Sequence, residues 1–368
     1  MNVTGLNNLI IILIFGSLIL LSFLKITNPL NVNKKANFCF GVFLLLWATF
    51  WMDELALLIG FSKINVYLNV IIHFIQFFTP LVLYFSIVFF TNPNYKFSKY
   101  DLKYLILPFI FLALLVILSI KSSAFVHLFS IVLMLIQSLF YVLASYLKIR
   151  KHKKNTLVFS SNANEIDLSW LEYIILSLFL MSIIITIYNM FFFLSTLNIF
   201  LNGISFIIIL IISHYSLKQK EIFPLDEKQR SQIILINEQE DLIEAKRKVV
   251  SDEELVALKI KLHQVMLEQQ PYLDSELNLI KLSELVKSTP HQVSYAINSG
   301  FNENFFHFIN KYRVERAKKL LVNDKMKHFS ILGIAYESGF NSKTSFNSTF
   351  KKITNQTPSE FKKKRTDL

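Results

Sequence analysis

Seven apolar stretches, each close to the length of a membrane-crossing helix, lie within the first 217 residues, and none follows. They run over about Leu6–Leu24, Asn37–Gly60, Val66–Phe90, Leu105–Ile120, Phe125–Leu147, Trp170–Phe193 and Leu197–Leu217. A bilayer core of about 30 Å needs about 20 apolar residues in a helix. Hydrocarbon offers no partner to a bare N–H or C=O, so a helix is the natural solution for each stretch. The fourth is the shortest. No small-residue cleavage site follows the first, which therefore reads as a retained helix and not a signal peptide. Residues 1–217 are thus expected to form a polytopic, all-α membrane domain of about seven spans.

Charge divides the chain at the same place. The net charge is +12 and the mean hydropathy +0.45, a combination that one soluble domain does not produce. Residues 1–216 hold six acids and thirteen Lys/Arg, whereas residues 217–368 hold twenty and twenty-five. With the start of the first span outside, the inner loops carry Lys25, Lys34, Lys35, Lys96, Lys99, Lys103, Lys148, Arg150, Lys151, Lys153 and Lys154. The outer loops then carry only Lys63 and Lys121. That asymmetry is the positive-inside pattern. Seven spans place everything after residue 218 in the cytoplasm. The expected location is a cytoplasmic (inner) membrane, with lipid around the spans. The basic loop Lys148–Lys154 reads as the topology signal, with binding of anionic lipid as the alternative.

Polar groups inside spans are costly unless paired or functional. Asp53 and Glu54 near the outer end of the second span, His73 and Gln76 three apart on one face of the third, and Asn189 and Asn202 in the last two are therefore candidate sensor residues. The bland alternative is that the acids mark the interface and the amides join helices. Pro80 and Pro108 are candidate kinks. The single cysteine, Cys39, excludes an intrachain disulfide framework and a Cys-rich zinc site, and His73 has no partner at metal-ligand spacing.

Residues 218–270 read as a helical connector. Leu235, Leu242, Val249 and Val256 fall seven apart, but the companion positions Gln239, Lys246 and Glu253 are polar, a weak coiled-coil pattern. Ser251 and Glu254 form a capping box. Leu255, Leu258, Leu262 and Val265 then recur at helical spacing until Pro271 ends the helix.

Residues 271–368 read as an all-helical domain with two helix–turn–helix units. From residue 277 onward there are sixteen Lys/Arg against seven acids. Leu282, Leu285 and Val286 mark a short first helix. Thr289, Pro290 and Gln292 then supply a cap, a first-turn proline and a capping box for the next. Val293, Ala296 and Ile297 face inward, and Gly300 suits a left-handed helix end. His291, Gln292, Ser294 and Tyr295 are left pointing out. In the second unit Ile331, Ile334 and Ala335 precede a turn at Gly339, and Phe346, Phe350 and Ile353 face inward on the following helix. Ser342, Lys343, Thr344, Asn347 and Lys351 remain outside, an aliphatic-free basic face of the kind a major groove accepts. Between the units, Asn304–Val322 reads as one connecting helix. Its apolar face holds Phe305, Phe308, Ile309, Tyr312, Ala317, Leu320 and Leu321, and Lys311, Arg313, Arg316, Lys318 and Lys319 decorate the rest.

Residues 277–361 resemble the AraC/XylS family of transcription regulators. The resemblance rests on Ile334-Ala335, Gly339-Phe340, Phe346 with Phe350-Lys351-Lys352, and Thr357-Pro358 before Phe361. Leu282-Ser283-Glu284, Val293-Ser294 and the run Tyr312–Ala317 support it. It covers about a quarter of the chain, and the connector looks like those of bacterial membrane-bound members. It implies two reading helices, about Pro290–Asn298 and Ser342–Lys352, entering successive major-groove segments of double-stranded promoter DNA. Ser348 and Tyr295 stand where the family often carries basic residues, and Lys351 is the substitute for the contact missing at Ser348.

The composite expectation is a one-component signal transducer that couples a membrane signal or ligand to promoter binding. Its partners would include a second copy of the chain and, for an activator, RNA polymerase. The alternative is a transporter or receptor whose basic tail recruits a protein partner. No P-loop, glycine-rich nucleotide loop or G-x-S-x-G is present, and the eight glycines are scattered, so no enzyme and no cofactor is expected.

Overall fold

The computed structural model describes residues 3–61, 65–121, 123–161, 168–191, 199–219, 251–326 and 328–366. Regular structure among them is helical, apart from an isolated antiparallel bridge between Ser160 and Asn278. The all-α expectation therefore holds. Two compact units are formed, one from Met1–Lys151 with Leu168–Ile222, the other from His152–Asp167 with Phe223–Leu368.

The first unit holds helices α1 (Val3–Thr27), α2 (Lys34–Ala48), α3 (Met52–Ile59), α4 (Val66–Phe77), α5 (Thr79–Thr91), α6 (Ile106–Ile120), α7 (Ala124–Phe159, whose last turns belong to the second unit), α8 (Ser169–Phe191) and α9 (Ile199–Lys218). Six helical runs among the described residues are long and apolar enough to cross a membrane, and a seventh, Trp170–Ile184, is shorter. Three of the six are composite. A 3-10 turn at Thr49–Trp51 joins α2 to α3. Pro80 in the first turn of α5 divides it from α4, because proline lacks the N–H for the preceding turn and clashes with its carbonyl.

Pro108 holds a similar place in the next run. It lies in the first turn of α6, where N–H groups have no intrahelical acceptor to lose. A 3-10 turn at Lys99–Leu105, closed by a Ser98–Asp101 capping box, precedes it and lengthens this short run. The basic stretch Lys148–Lys154 is not a loop. It continues α7, which has 36 residues and reaches about 54 Å at 1.5 Å per residue, well beyond a bilayer core.

Helices α1, α2, α5 and α9 pack together. Gly41 lets α2 approach α1 closely, since a Cβ there would meet the Ile26 backbone. Ser22 Oγ donates to the Gly41 carbonyl at 2.7 Å, and Ser86 Oγ to that of Ala36 at 3.0 Å. Small residues and hydroxyl bonds of this kind let apolar helices approach closely.

The second unit contains α10 (Asp252–Glu268), α11 (Leu279–Leu285), α12 (Pro290–Tyr295), α13 (Phe305–Leu321), α14 (Ile331–Glu337), α15 (Lys343–Thr354) and α16 (Pro358–Thr366). The Ser251–Glu254 capping box is formed, and α10 ends before Pro271 as its sequence requires. Leu258, Leu262, Val265 and Met266 are its buried face. The seven-spaced Leu235, Leu242 and Val249 lie outside the described residues.

Candidate nucleic-acid interface and buried polar groups

The second reading helix is built as its pattern requires. Ser342 caps α15 by accepting from the Ser345 N–H. Phe346 and Phe350 are fully buried, in one cluster with Val314, Ala317, Ile334 and Phe340. Lys343, Thr344 and Lys351 are exposed, and Asn347 is half-buried beside them. Lys343, Asn347 and Lys351 recur every four residues and form one stripe. Ser348 and Lys352 are exposed on the same side, two residues not singled out as contacts from sequence. None of the ion pairs among the described residues takes up Lys343, Lys351 or Lys352. Ser342 Oγ accepts the capping N–H with one lone pair, which leaves its hydroxyl hydrogen and the other lone pair for a further contact.

The first unit differs from expectation. Thr289 and Gln292 do form their capping box around Pro290. That bond uses the Gln292 side chain, whose Oε1 also accepts from Ser288 Oγ at 2.9 Å. Ser294 is buried, not outward, while His291 and Tyr295 are half-buried. Leu285, expected in the core, is 40% exposed, and Leu279 and Ile280 take its place.

Helix α12 runs on into a π turn, Ala296–Gly300. Gly300 is therefore helical and not a left-handed end. Its role is spatial, because a Cβ would meet the Lys259 side chain of α10. The left-handed residue is Asn302, at φ 57°. The extra residue of the π turn rotates the outward face, leaving Asn298 and Ser299 exposed beyond Tyr295. Lys287, exposed at φ 51° between α11 and α12, is a further cation at this end. Nothing in spacing alone marks it, since the left-handed turn decides where it points.

Arg313 is the largest departure. Sequence placed it among the surface cations of α13, yet among the described residues it is the bulkiest fully buried side chain. Its Nε donates to the Tyr272 carbonyl at 2.7 Å and its Nη2 to that of Asp274 at 2.8 Å. Its guanidinium stands 5.8 Å from the Phe340 ring centroid, within cation–π range. Burial pushes its pKa down to about 10, against the pull of Asp274 and Glu276. It stays charged near neutrality. The carbonyls it bonds precede the first unit, and Phe340 precedes α15, so one guanidinium ties both units to the connecting helix.

The polar candidates of the apolar helices are mostly joints. His73 Nδ1 lies 2.9 Å from Gln76 Oε1, and Gln76 Nε2 donates to the Thr49 carbonyl at 3.0 Å, in the 3-10 break. Asn202 is fully buried. It accepts from Trp51 Nε1 at 3.0 Å and donates to Asn7 Oδ1 at 2.9 Å, linking three helical runs. Asp53 is exposed and Glu54 half-buried, both in the first turn of α3, where carboxylates suit the helix dipole. Asn189 belongs to α8, and its side chain is outside the described set. Lys25, counted above as a loop cation, is buried. It donates to the Ser216 carbonyl in the last turn of α9 and to Asn37 Oδ1. Among the described residues, no cluster of His, Cys, Asp and Glu could hold a metal ion.

A family model for a helix-turn-helix domain matches residues 282–364. An uncharacterized HTH-type transcriptional regulator of Staphylococcus aureus is 36% identical over 103 residues, which is 28% of this chain and 13% of that protein. Uncharacterized HTH-type transcriptional regulators of the COL and N315 strains are 34% identical over the same length and shares. The chain thus spans only about an eighth of these curated relatives, 13% of their length. No solved structure matches the chain.

Proposed function

We propose that this chain, whose residues 282–364 are a helix-turn-helix domain of the AraC type, is a membrane-embedded, sequence-specific DNA-binding transcription regulator. Residues 1–217 would be the membrane domain, 218–270 the connector and 271–368 the DNA-binding domain, lying in the cytoplasm. The observation that carries this reading is the outward stripe Lys343, Asn347 and Lys351 on α15, a helix capped, buried on its other side and outside every described ion pair. Lysines there meet phosphates, and Asn347 has the donor and acceptor pair that an adenine edge accepts. The first unit contributes His291, Tyr295 and the exposed Asn298 and Ser299, with Gln292 and Ser294 serving structure.

The membrane half is supported by the apolar helices and by the cations of the loops proposed to be inner. Coupling of a membrane signal to promoter binding is the role we infer from the covalent union of the two parts.

The test is selection of duplexes from a random library by the full chain in detergent or nanodiscs, followed by titration at several salt concentrations. Two enriched elements about one helical turn apart, roughly 10 bp, are expected. The affinity should fall steeply with salt. A specificity ratio near one would remove the regulator reading. It would favour a transporter or receptor whose basic tail recruits a protein.

A further inference from the structure

Part of the DNA-binding unit comes from far away in the sequence. Residues 152–161, the last turns of the apolar helix α7 and the two residues after it, belong to the same compact unit as the helix-turn-helix domain. Ser160 forms an antiparallel bridge with Asn278, the cap of α11. Ser161 is 1% exposed. Its Oγ donates to the Leu277 carbonyl at 2.6 Å and accepts from Arg313 Nη2 at 3.0 Å. Its carbonyl accepts from Asn310 Nδ2 at 3.1 Å and from Arg313 Nη1 at 3.4 Å.

Those bonds complete the slot around Arg313. A buried guanidinium needs an acceptor for each donor, and an unmet one bears the full desolvation cost. Tyr272 and Asp274 supply two acceptors from within the domain, and the other two protein acceptors of the slot, apart from Asn310 Oδ1, are on Ser161. Without residues 160–161, the slot is left with buried donors short of partners. The same guanidinium faces Phe340 ahead of α15, and the Tyr272 carbonyl it holds packs on Gly339. The slot therefore touches the turn that sets the second reading helix.

We propose that residues 160–161 are a strap from α7 that plugs the Arg313–Asn310 slot, and that its seating is a control point through which α7 governs the second reading helix. This route is separate from the connector at 218–270. It rests on the DNA-binding reading for its consequence, though not for its geometry.

Two experiments on the full chain in native membranes separate these. Ser160→Cys with Asn278→Cys, in a Cys39→Ser background, puts two cysteines at opposed positions of an antiparallel bridge. Their Cα atoms are about 4.5–5.5 Å apart, within disulfide reach. Mild oxidation followed by denaturation should protect both thiols from maleimide in most chains, with neither single variant protected. Full labelling of both cysteines in the folded pair variant overturns the strap. Should the pair variant fail to accumulate, single variants at Ser161 decide. Ser161→Ala should lower occupancy of the wild-type chromatin sites roughly ten-fold at equal protein level, by loss of a bond to a charged donor, and Ser161→Thr should restore it. Equal occupancy by Ser161→Ala and wild type overturns the control point. Absence of any wild-type sites would instead sink the DNA-binding reading and leave the crosslink result standing.

Discussion

Gly339 and Tyr272 are in backbone contact: the Tyr272 carbonyl oxygen stands where a Cβ on residue 339 would project, and Gly339 has φ 85°. Both facts demand glycine, one by space and one by backbone region. Gly339→Ala is expected to destabilise the DNA-binding domain by roughly 3 kcal/mol, from left-handed strain plus a clash with main chain that has no rotamer to yield. Gly333→Ala, inside α14 against the movable Phe329 ring, should change stability by less than about 1 kcal/mol. Urea unfolding of the purified chain, followed by near-ultraviolet signals, compares the two. Equal losses would show that the Tyr272 contact is not limiting.

The amides buried among the apolar helices make a separate, quantitative case. Asn202 bonds both Trp51 and Asn7, and a double-mutant cycle isolates the first pair. Trp51→Phe and Asn202→Ala should couple by about 0.6–2 kcal/mol, the range of hydrogen bonds between membrane helices. The coupling is read from unfolding in mixed micelles. If the two substitutions are additive, Asn202 holds its place through Asn7 alone.

Much of this architecture was legible because its signals are local. The Ser251 and Thr289 capping boxes depend on residues three apart, and both formed. Phe346 and Phe350 lie four apart with polar neighbours, and both are buried. What sequence hid was chemistry that contradicts its position. Arg313 stands four after Ile309 and four before Ala317, squarely on the buried stripe of α13, yet its charge argues for the surface. Its acceptors are main-chain carbonyls at Tyr272, Asp274 and Ser161, and a carbonyl has no sequence signature. Lys25 was misplaced for the same reason, its partner being the Ser216 carbonyl. Gly300 was misjudged because a π turn follows Tyr295, and no residue type announces one; Ser294 lies in the regular turn before it, beside Val293 on the buried side.

His307, in the first turn of α13, supplies a pH dependence. Its pKa lies below 6.5 because of partial burial and then the charge of Lys352, against the opposing pull of Glu303. Below pH 6.5 the unfolded chain therefore takes up a proton that the folded chain resists. Stability is complete above that pH and falls on acidification until the folded-state pKa is passed. His307→Gln should flatten this part of the profile, and Lys352→Gln should make it shallower. Urea midpoints between pH 7.5 and 5 give the slope. An unchanged slope in His307→Gln would assign the acid sensitivity elsewhere.

The α15 stripe separates positioning from reading. Lys351 is exposed in the last turn of the helix, where it suits a phosphate. Asn347 is half-buried one turn earlier, at the centre of the stripe. Lys351→Gln should weaken binding to selected and random duplexes by the same factor. It should also reduce the slope of log affinity against log salt by about one, since one phosphate contact is lost. Asn347→Ala should leave the salt slope unchanged and cost about 1–3 kcal/mol on selected duplexes only, lowering the specificity ratio. Lys343→Gln, at the N-terminal end where reading helices approach base edges, should reduce both slope and ratio. Parallel titrations on selected and scrambled duplexes at four salt concentrations resolve the three variants. A uniform loss in Asn347→Ala would move base reading away from α15 and toward the exposed Asn298–Ser299 end of the first unit.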